Sequence, residues 1–279
     1  MHEFEIIKKY FSKLSSNNKN SLNLNDDVFF DKSKKLVISV DTYVEGVHFI
    51  NFKHPDFVIK KIFRSSISDL ICKGVKPTYY FISGSGNKKT FSKKNLKLIS
   101  DALKQEQKKY STKLCGGDTV YSKKLSFTLT SVGFSNDIIF RNKAKINDDI
   151  YVTGNLGDSF IGLKVLQNKI KLNKDLTNYF KMKYFHPVLH LNIAKKLFLF
   201  ANTSIDISDG LISDLEKIIN KQKLSYKLFL NDIPISNNLK KLVDTKIITK
   251  LSSVCSGDDY QILFTATPSK SRIISNISK

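Results

Sequence analysis

The sequence predicts an α/β protein of the α+β kind, built as two domains that meet near residue 147. Three observations carry that expectation. At 279 residues the chain exceeds one ordinary core. Short apolar runs alternate with stretches whose apolar residues recur at helical spacing. A polar, turn-like segment at 142–149 (NKAKINDD) separates two such series. The expected units are residues 1–147, an N-terminal domain, and residues 148–279, a C-terminal α/β domain.

The elements follow in order. Leu36 to Val40 (LVISV) reads as a short strand ending at Asp41. Residues 56–73 read as a helix with Val58, Ile59, Ile62, Phe63 and Leu70 along one side, stopped by Gly74 and Pro77. Asn95 to Tyr110 is a polar amphipathic helix. Leu125 to Phe134 alternates as a half-buried strand does, with Phe127 and Leu129 set against Thr128 and Thr130. Ile150 to Thr153 is a strand closed by Gly154 and Gly157, and residues 158–168 are helical. Ser204 to Ile207 is a strand running straight into a helix with Leu211, Leu215, Ile218 and Ile219 on one face.

Composition narrows the class. Apolar residues make up 41% of the chain, which argues against global disorder. No run approaches the roughly 20 apolar residues that span a bilayer. The start, MHEFEIIKKYF, has no continuous apolar region and does not read as a secretory signal. Cys72, Cys115 and Cys255 lie far apart with no CxxC, which fits neither a disulfide framework nor a zinc site. A soluble, cytoplasmic protein is expected. The formal net charge of +21 would suit a nucleic-acid binder. Its lysines, however, come as scattered pairs (Lys8-Lys9, Lys60-Lys61, Lys195-Lys196) and form no basic arm. Compositional drift toward Lys, Asn, Ile and Ser accounts for them, and no specific nucleic-acid partner is expected.

The acidic residues are fewer, and their placement says more. Six places put Asp at the end of an apolar element, often beside Gly, Ser or Thr. They are Asp26-Asp27, Asp41, Asp69, Gly117-Asp118, Asp206 to Asp209 (with Ser208 between), and Asp258-Asp259. Any one alone is ordinary turn or cap chemistry. Asp69 near the C-terminal end of its helix opposes the macrodipole, and a cation would remove that conflict. Asp206 and Asp209 flank a strand-to-helix turn, where phosphate and its metal are at home. Hard oxygen ligands with no His/Cys set suit Mg²⁺. Metal-dependent phosphate chemistry is therefore expected, although neither a GxxxxGK[ST] loop nor the protein-kinase signatures occur.

The motifs in order, Asp26-Asp27, SVDTYVEGVHF (39–49), SDLICKGVKP (68–77), LCGGDT (114–119), RNKAKINDDIYVTGNLGDS (141–159), IDISDGLISDL (205–215) and SGDDYQILFT (256–265), resemble the thiamine-monophosphate kinase family. That family belongs to an ATP-binding superfamily with aminoimidazole-ribonucleotide synthetase and selenophosphate synthetase. The resemblance runs from about residue 3 to 268. It implies a two-domain protomer whose N-terminal sheets pair across a homodimer as a barrel-like interface, with ATP in a cleft. The reaction it implies converts ATP and thiamine monophosphate to ADP and thiamine diphosphate with several Mg²⁺ ions. Carried over by position, Asp26, Asp41, Asp69, Asp118, Asp206 and Asp209 match metal-binding aspartates, and Ser39 a hydroxyl ligand beside them. Gly117, Asp118, Arg141 and Ser208 match nucleotide contacts, while His48 and Asp258 match positions that touch thiamine phosphate. Asp41, Asp118 and Arg141 are the expected catalytic residues, with Arg141 the non-metal charge clamp.

The chain departs from the family pattern in four places. Asn25 stands where the family usually has Gly, giving that loop less backbone freedom. Val40 replaces a common Thr, and Asp258 a Glu one methylene longer. The chain ends at Lys279, whereas members typically continue by some tens of residues that carry an aromatic contact to thiamine. Two alternatives stand beside the kinase reading. One is a superfamily enzyme acting on another substrate, and the other is a basic nucleic-acid-binding protein without catalysis.

Overall fold

The computed structural model describes residues 3–219 and 222–278. Met1, His2, Asn220, Lys221 and Lys279 lie outside them, including the chain end noted above. A mixed sheet, a second, antiparallel sheet and packed helices give the predicted α/β class. The first sheet has five strands in the order β1-β2-β5-β3-β4: β1 is Phe29–Asp31, β2 Leu36–Val44, β3 Pro77–Gly86, β4 Lys113–Tyr121 and β5 Ser126–Phe134. All pairings are antiparallel except β3 with β4. The second sheet has three strands, β6 (Asp149–Val152), β7 (Thr203–Asp206) and β8 (Ile262–Ala266), in the order β6-β8-β7.

β2 runs four residues past the expected end at Val40. Thr42, Tyr43 and Val44 are good strand formers, and β5 pairs with them in unbroken register from Leu36↔Phe134 to Val44↔Ser126. Asp41 is therefore a mid-strand residue. Because side chains alternate, Val37, Ser39, Asp41 and Tyr43 share one face of the sheet and Val40 and Thr42 the other.

The Pro55–Cys72 helix lies on the first of these faces. Proline at its first turn favours initiation, and Val75 N–H and Gly74 N–H close the last carbonyls at Leu70 and Ile71. It is buried nearly all round, polar residues such as Lys61, Arg64, Ser66 and Ser68 included, with Val58, Ile59, Ile62, Phe63, Ile67 and Ile71 at most 1% exposed. Its partners are Tyr80 and Leu129 from the sheet and Ala102 and Tyr110 from the Lys93–Tyr110 helix. The same apolar cluster continues through Tyr184 and Phe185 into Phe264 and Ala266, so both sheets border one core. Two helices are tied by a buried bidentate pair, Arg64 to both Glu106 oxygens at 2.8 Å. The helix thus carries Lys61 and Asp69 along its length, and it reaches the second sheet at β7.

Candidate active site

Two loop-forming sequences of the C-terminal half are locked together before any chemistry is considered. Gly257, Asp258 and Tyr260 all adopt positive φ, and the chain they bend folds back on the 206–210 turn. Asp258 N–H donates to Ser208 O and Tyr260 N–H to Ile207 O, both at 2.8 Å, and Ile207 N–H returns a bond of 2.8 Å to Gln261 O. A Cβ at Gly257 would stand 2.2 Å from that same Ser208 oxygen, so the contact requires glycine. Asp214 completes the turn by accepting from Asp209 N–H and Gly210 N–H at 3.0 and 3.1 Å.

A cleft of about 400 Å³ opens where these loops face β2 and the long helix. Asp41, Asp69, Asp206, Ser208, Asp209 and Asp258 line it, together with His48, Tyr184 and Tyr260. A groove of about 850 Å³ along β6 is larger but contains none of the predicted site residues. Size does not mark the site; converging carboxylates do.

Of those carboxylates Asp206 is buried and Asp41 and Asp69 are half-buried, and among the described residues no cationic side chain pairs with any of the three. Ser39 Oγ donates to Asp69 Oδ2 at 2.5 Å, and Tyr43 OH donates to Asp41 Oδ2 at 3.3 Å. Burial pushes the Asp41 carboxyl up to about 6, and the Asp27 charge adds to that while Tyr43 opposes it. Asp206 is pushed up to about 7 by burial first and Asp27 second. Asp69 is raised well above the ordinary range by burial and by the charges of Asp41, Asp206 and Asp27. Such mutual repulsion in a buried cluster is what a divalent ion relieves. No group of three or more His, Cys, Asp or Glu side chains among the described residues forms a ready-made metal cage. A donor set of sparse oxygens fits Mg²⁺, which takes much of its shell from water and phosphate.

The remaining predicted residues sit elsewhere or play other parts. Asp26 and Asp27 form a separate lobe with Lys73, whose Nζ lies 2.7 Å from Asp26 Oδ1 and 2.8 Å from Asp27 Oδ2. Arg141 is 5% exposed and turned into this lobe, with Nη1 3.0 Å from Asp27 Oδ1 and Nε donating to Asn25 O. It is not among the residues lining the cleft. Asn25 itself has φ −123°, a conformation that needs no glycine. Burial works against the Asp27 carboxylate, but Lys73 and Arg141 outweigh it and hold its pKa below the usual range.

Asp118 stands apart. The register Thr42↔Thr128↔Ser83↔Asp118 puts it three strands from β2, roughly 14 Å away, on the sheet face opposite Asp41. All nine residues of β4 are exposed. Gly117 is needed there, since a Cβ would meet Ile82 O at 1.8 Å. Asp209 is 62% exposed and paired with Lys217 at 2.6 Å.

Several side chains beside the site carried no distinct signal in the sequence. Lys61 is buried, 2.5 Å from Asp258 Oδ1 and 4.0 Å from the centre of the Tyr184 ring. Burial holds its pKa below the usual lysine value, although Asp258 opposes that. Lys73 and Lys217 were equally hidden, because in a chain with 46 Lys and Arg no single lysine stands out. Burial is the only property that separates them, and sequence spacing does not report it for a polar side chain.

Comparison with known proteins decides the family. The family signature "AIR synthase related protein, N-terminal domain" matches residues 25–135. The thiamine-monophosphate kinase of Buchnera aphidicola from Schizaphis graminum is 39% identical over 279 residues, covering 95% of this chain and 83% of that one. The chain belongs to the thiamine-monophosphate kinase family. The Haemophilus influenzae member is 31% identical over 275 residues, covering 96% of this chain and 82% of its own. Among solved structures, AaThiL complexed with AMPPCP and TMP superposes with a TM-score of 0.88 at 25% identity, covering 96% of this chain and 86% of that chain. The Stenotrophomonas maltophilia member, at 24% identity and a TM-score of 0.80, shares the fold and covers 97% of this chain and 90% of its own.

Proposed function

We propose that the protein is a thiamine-phosphate kinase, transferring the γ-phosphoryl group of ATP to the phosphate of thiamine monophosphate to give ADP and thiamine diphosphate. The observation that carries this reading is the cleft where Asp41, Asp69 and Asp206 gather with no cation against them, in a member of this family. An acceptor phosphate oxygen is already ionised near neutral pH. It attacks the γ-phosphorus in line, the bond from that phosphorus to the bridging oxygen breaks, and the electron pair leaves with ADP. A strong general base is not required; catalysis rests on holding two repelling phosphates together.

Asp41, Asp69 and Asp206, with Ser39 beside them and Asp209 at the rim, are the residues proposed to hold Mg²⁺. Such ions would supply charge neutralisation across the nucleotide phosphates. Ser208 lies on the same cleft and is proposed as a nucleotide contact. His48 and Asp258, beside Tyr184 and Tyr260, are proposed to receive the thiamine end. Arg141 acts in this reading by fixing the Asp26-Asp27 loop, not as a clamp on phosphate.

A homodimer and the division at residue 147 belong to the same proposal. The outward face of the first sheet exposes Val40 (60%), Phe81 (41%), Val120 (52%) and Phe134 (50%), and pairing with a second copy would cover them. Gly117 and Asp118, proposed to serve nucleotide and metal, lie on the edge strand of that sheet. A cytoplasmic location fits ATP as co-substrate and three unpaired cysteines. No helix among the described residues is long and apolar enough to cross a membrane.

The test is stereochemical. ATP made chiral at the γ-phosphorus by oxygen isotopes should give thiamine diphosphate with inversion, and chelation of divalent ions should stop the reaction. Retention would point to a phosphoenzyme, and full activity in chelator would reject the metal-assisted route.

A further inference from the structure

The acidic residues of this site divide into two groups that differ in what balances them. Among the described residues, the side-chain partners of Asp41, Asp69 and Asp206 are hydroxyl groups: Tyr43, Ser39 and Ser68. Asp26 and Asp27 have cations. Lys73 Nζ is fully buried, ion-paired with both carboxylates at 2.7 and 2.8 Å, and it donates to Ser204 O at 2.8 Å. Three oxygens thus surround the ammonium, two of them on carboxylates, and its charge is the only partner Asp27 Oδ2 has among the described residues.

The two carboxylates are engaged on their other atoms as well. Asp26 Oδ1 accepts from Asp27 N–H at 2.8 Å, and its Oδ2 accepts from Arg141 N–H at 3.0 Å. Asp27 Oδ1 accepts from Arg141 Nη1 at 3.0 Å. Two negative charges face one ammonium and one guanidinium, so the lobe is neutral without any ion from solution. A metal placed between Asp26 and Asp27 would have to share that space with a buried ammonium that, among the described residues, pairs with no other carboxylate. Like charges at such range in a buried site repel strongly.

We propose that Lys73 is a built-in cation of this active site: its ammonium bridges Asp26 and Asp27 in the place of a metal ion. Asp26 is then a holder of Lys73 and of the Arg141 backbone, and within the cleft divalent ions collect on the Asp41, Asp69 and Asp206 side, not on Asp26 or Asp27. The inference rests on the metal-assisted kinase reading and refines which residues of that site take metal.

The experiment counts and locates ions instead of measuring turnover. Wild-type protein crystallised with Mn²⁺ and AMPPCP should show anomalous peaks at Asp41, Asp69 or Asp206 and none within coordinating distance of Asp26. A peak bound to Asp26 would overturn the proposal. No peak anywhere in the cleft, with nucleotide present, would instead reject the metal reading beneath it. In solution, Lys73→Met, which keeps the chain length and removes the charge, should bind one more Mn²⁺ per chain than wild type when free Mn²⁺ is followed by electron paramagnetic resonance. An equal, non-zero count in a folded variant would also overturn it. Asp26→Asn in the otherwise native chain should leave the Mn²⁺ count unchanged, and loss of one ion there would assign Asp26 to the metal after all.

Discussion

At the scale of single residues, Asp41 has the most to lose. It lines the cleft from β2 together with Asp69, and burial already pushes its carboxyl up to about 6. Asp41→Asn keeps the shape and removes the charge. Turnover should fall by roughly 10²- to 10³-fold, the scale of removing one preorganised electrostatic contact. The metal-free melting temperature should hold or rise, because a buried charge has gone. Unchanged turnover would remove Asp41 from the chemistry. The same burial predicts a pH dependence of the metal-free fold. Asp41, Asp206 and Asp259 have folded pKa values of about 6, 7 and 8 against 3.8 for the free side chain. Each folded carboxyl binds its proton more tightly than the unfolded one, so stability is full below about 4 and is lost as pH rises toward about 8. Asp27, with its lowered pKa, has the opposite sign. Calorimetry from pH 4.5 to 8 should show the melting temperature falling, and Mg²⁺ with ATP should flatten that fall. A rise with pH in the metal-free protein would contradict the burial of these charges.

At the scale of elements, the Pro55–Cys72 helix organises the site, and its anchorage can be measured. Arg64 is tied to Glu106 of the neighbouring helix by two hydrogen bonds of 2.8 Å, both groups buried. Glu106→Leu would strand the guanidinium inside, and unfolding in urea should show about 3–5 kcal/mol lost. A loss under about 1 kcal/mol would mean that Arg64 finds water easily. The helix itself was legible, because its apolar side recurs at helical spacing and Gly74 and Pro77 punctuate its end. The aspartates were legible for a related reason: they stand beside Gly, Ser or Thr where apolar runs stop. Strand length was less so. Asp41 looked like a terminus because a charge breaks the apolar run, yet pairing with β5 carries β2 through it to Val44. Long-range register decides such cases, and it is not written locally. For Lys61 and Lys73 the reason was different again, since a buried ammonium and a solvated one are spelled alike.

At the scale of the whole molecule, the protein combines a cleft lined by aspartates with an outward sheet face that leaves apolar residues exposed. The proposed homodimer would cover the exposed residues Val40, Phe81, Val120 and Phe134. Phe81→Asp should shift the protein to monomer by light scattering and lower activity with it, while a variant that remains dimeric at micromolar concentration would place the interface elsewhere. The central claim is the reaction. Purified protein incubated with ATP, Mg²⁺ and either thiamine monophosphate or free thiamine can be read by chromatography of the thiamine esters. Thiamine diphosphate appearing from the monophosphate and from nothing else is the predicted result. ATP binding without any thiamine diphosphate, or product formed from free thiamine, would contradict it.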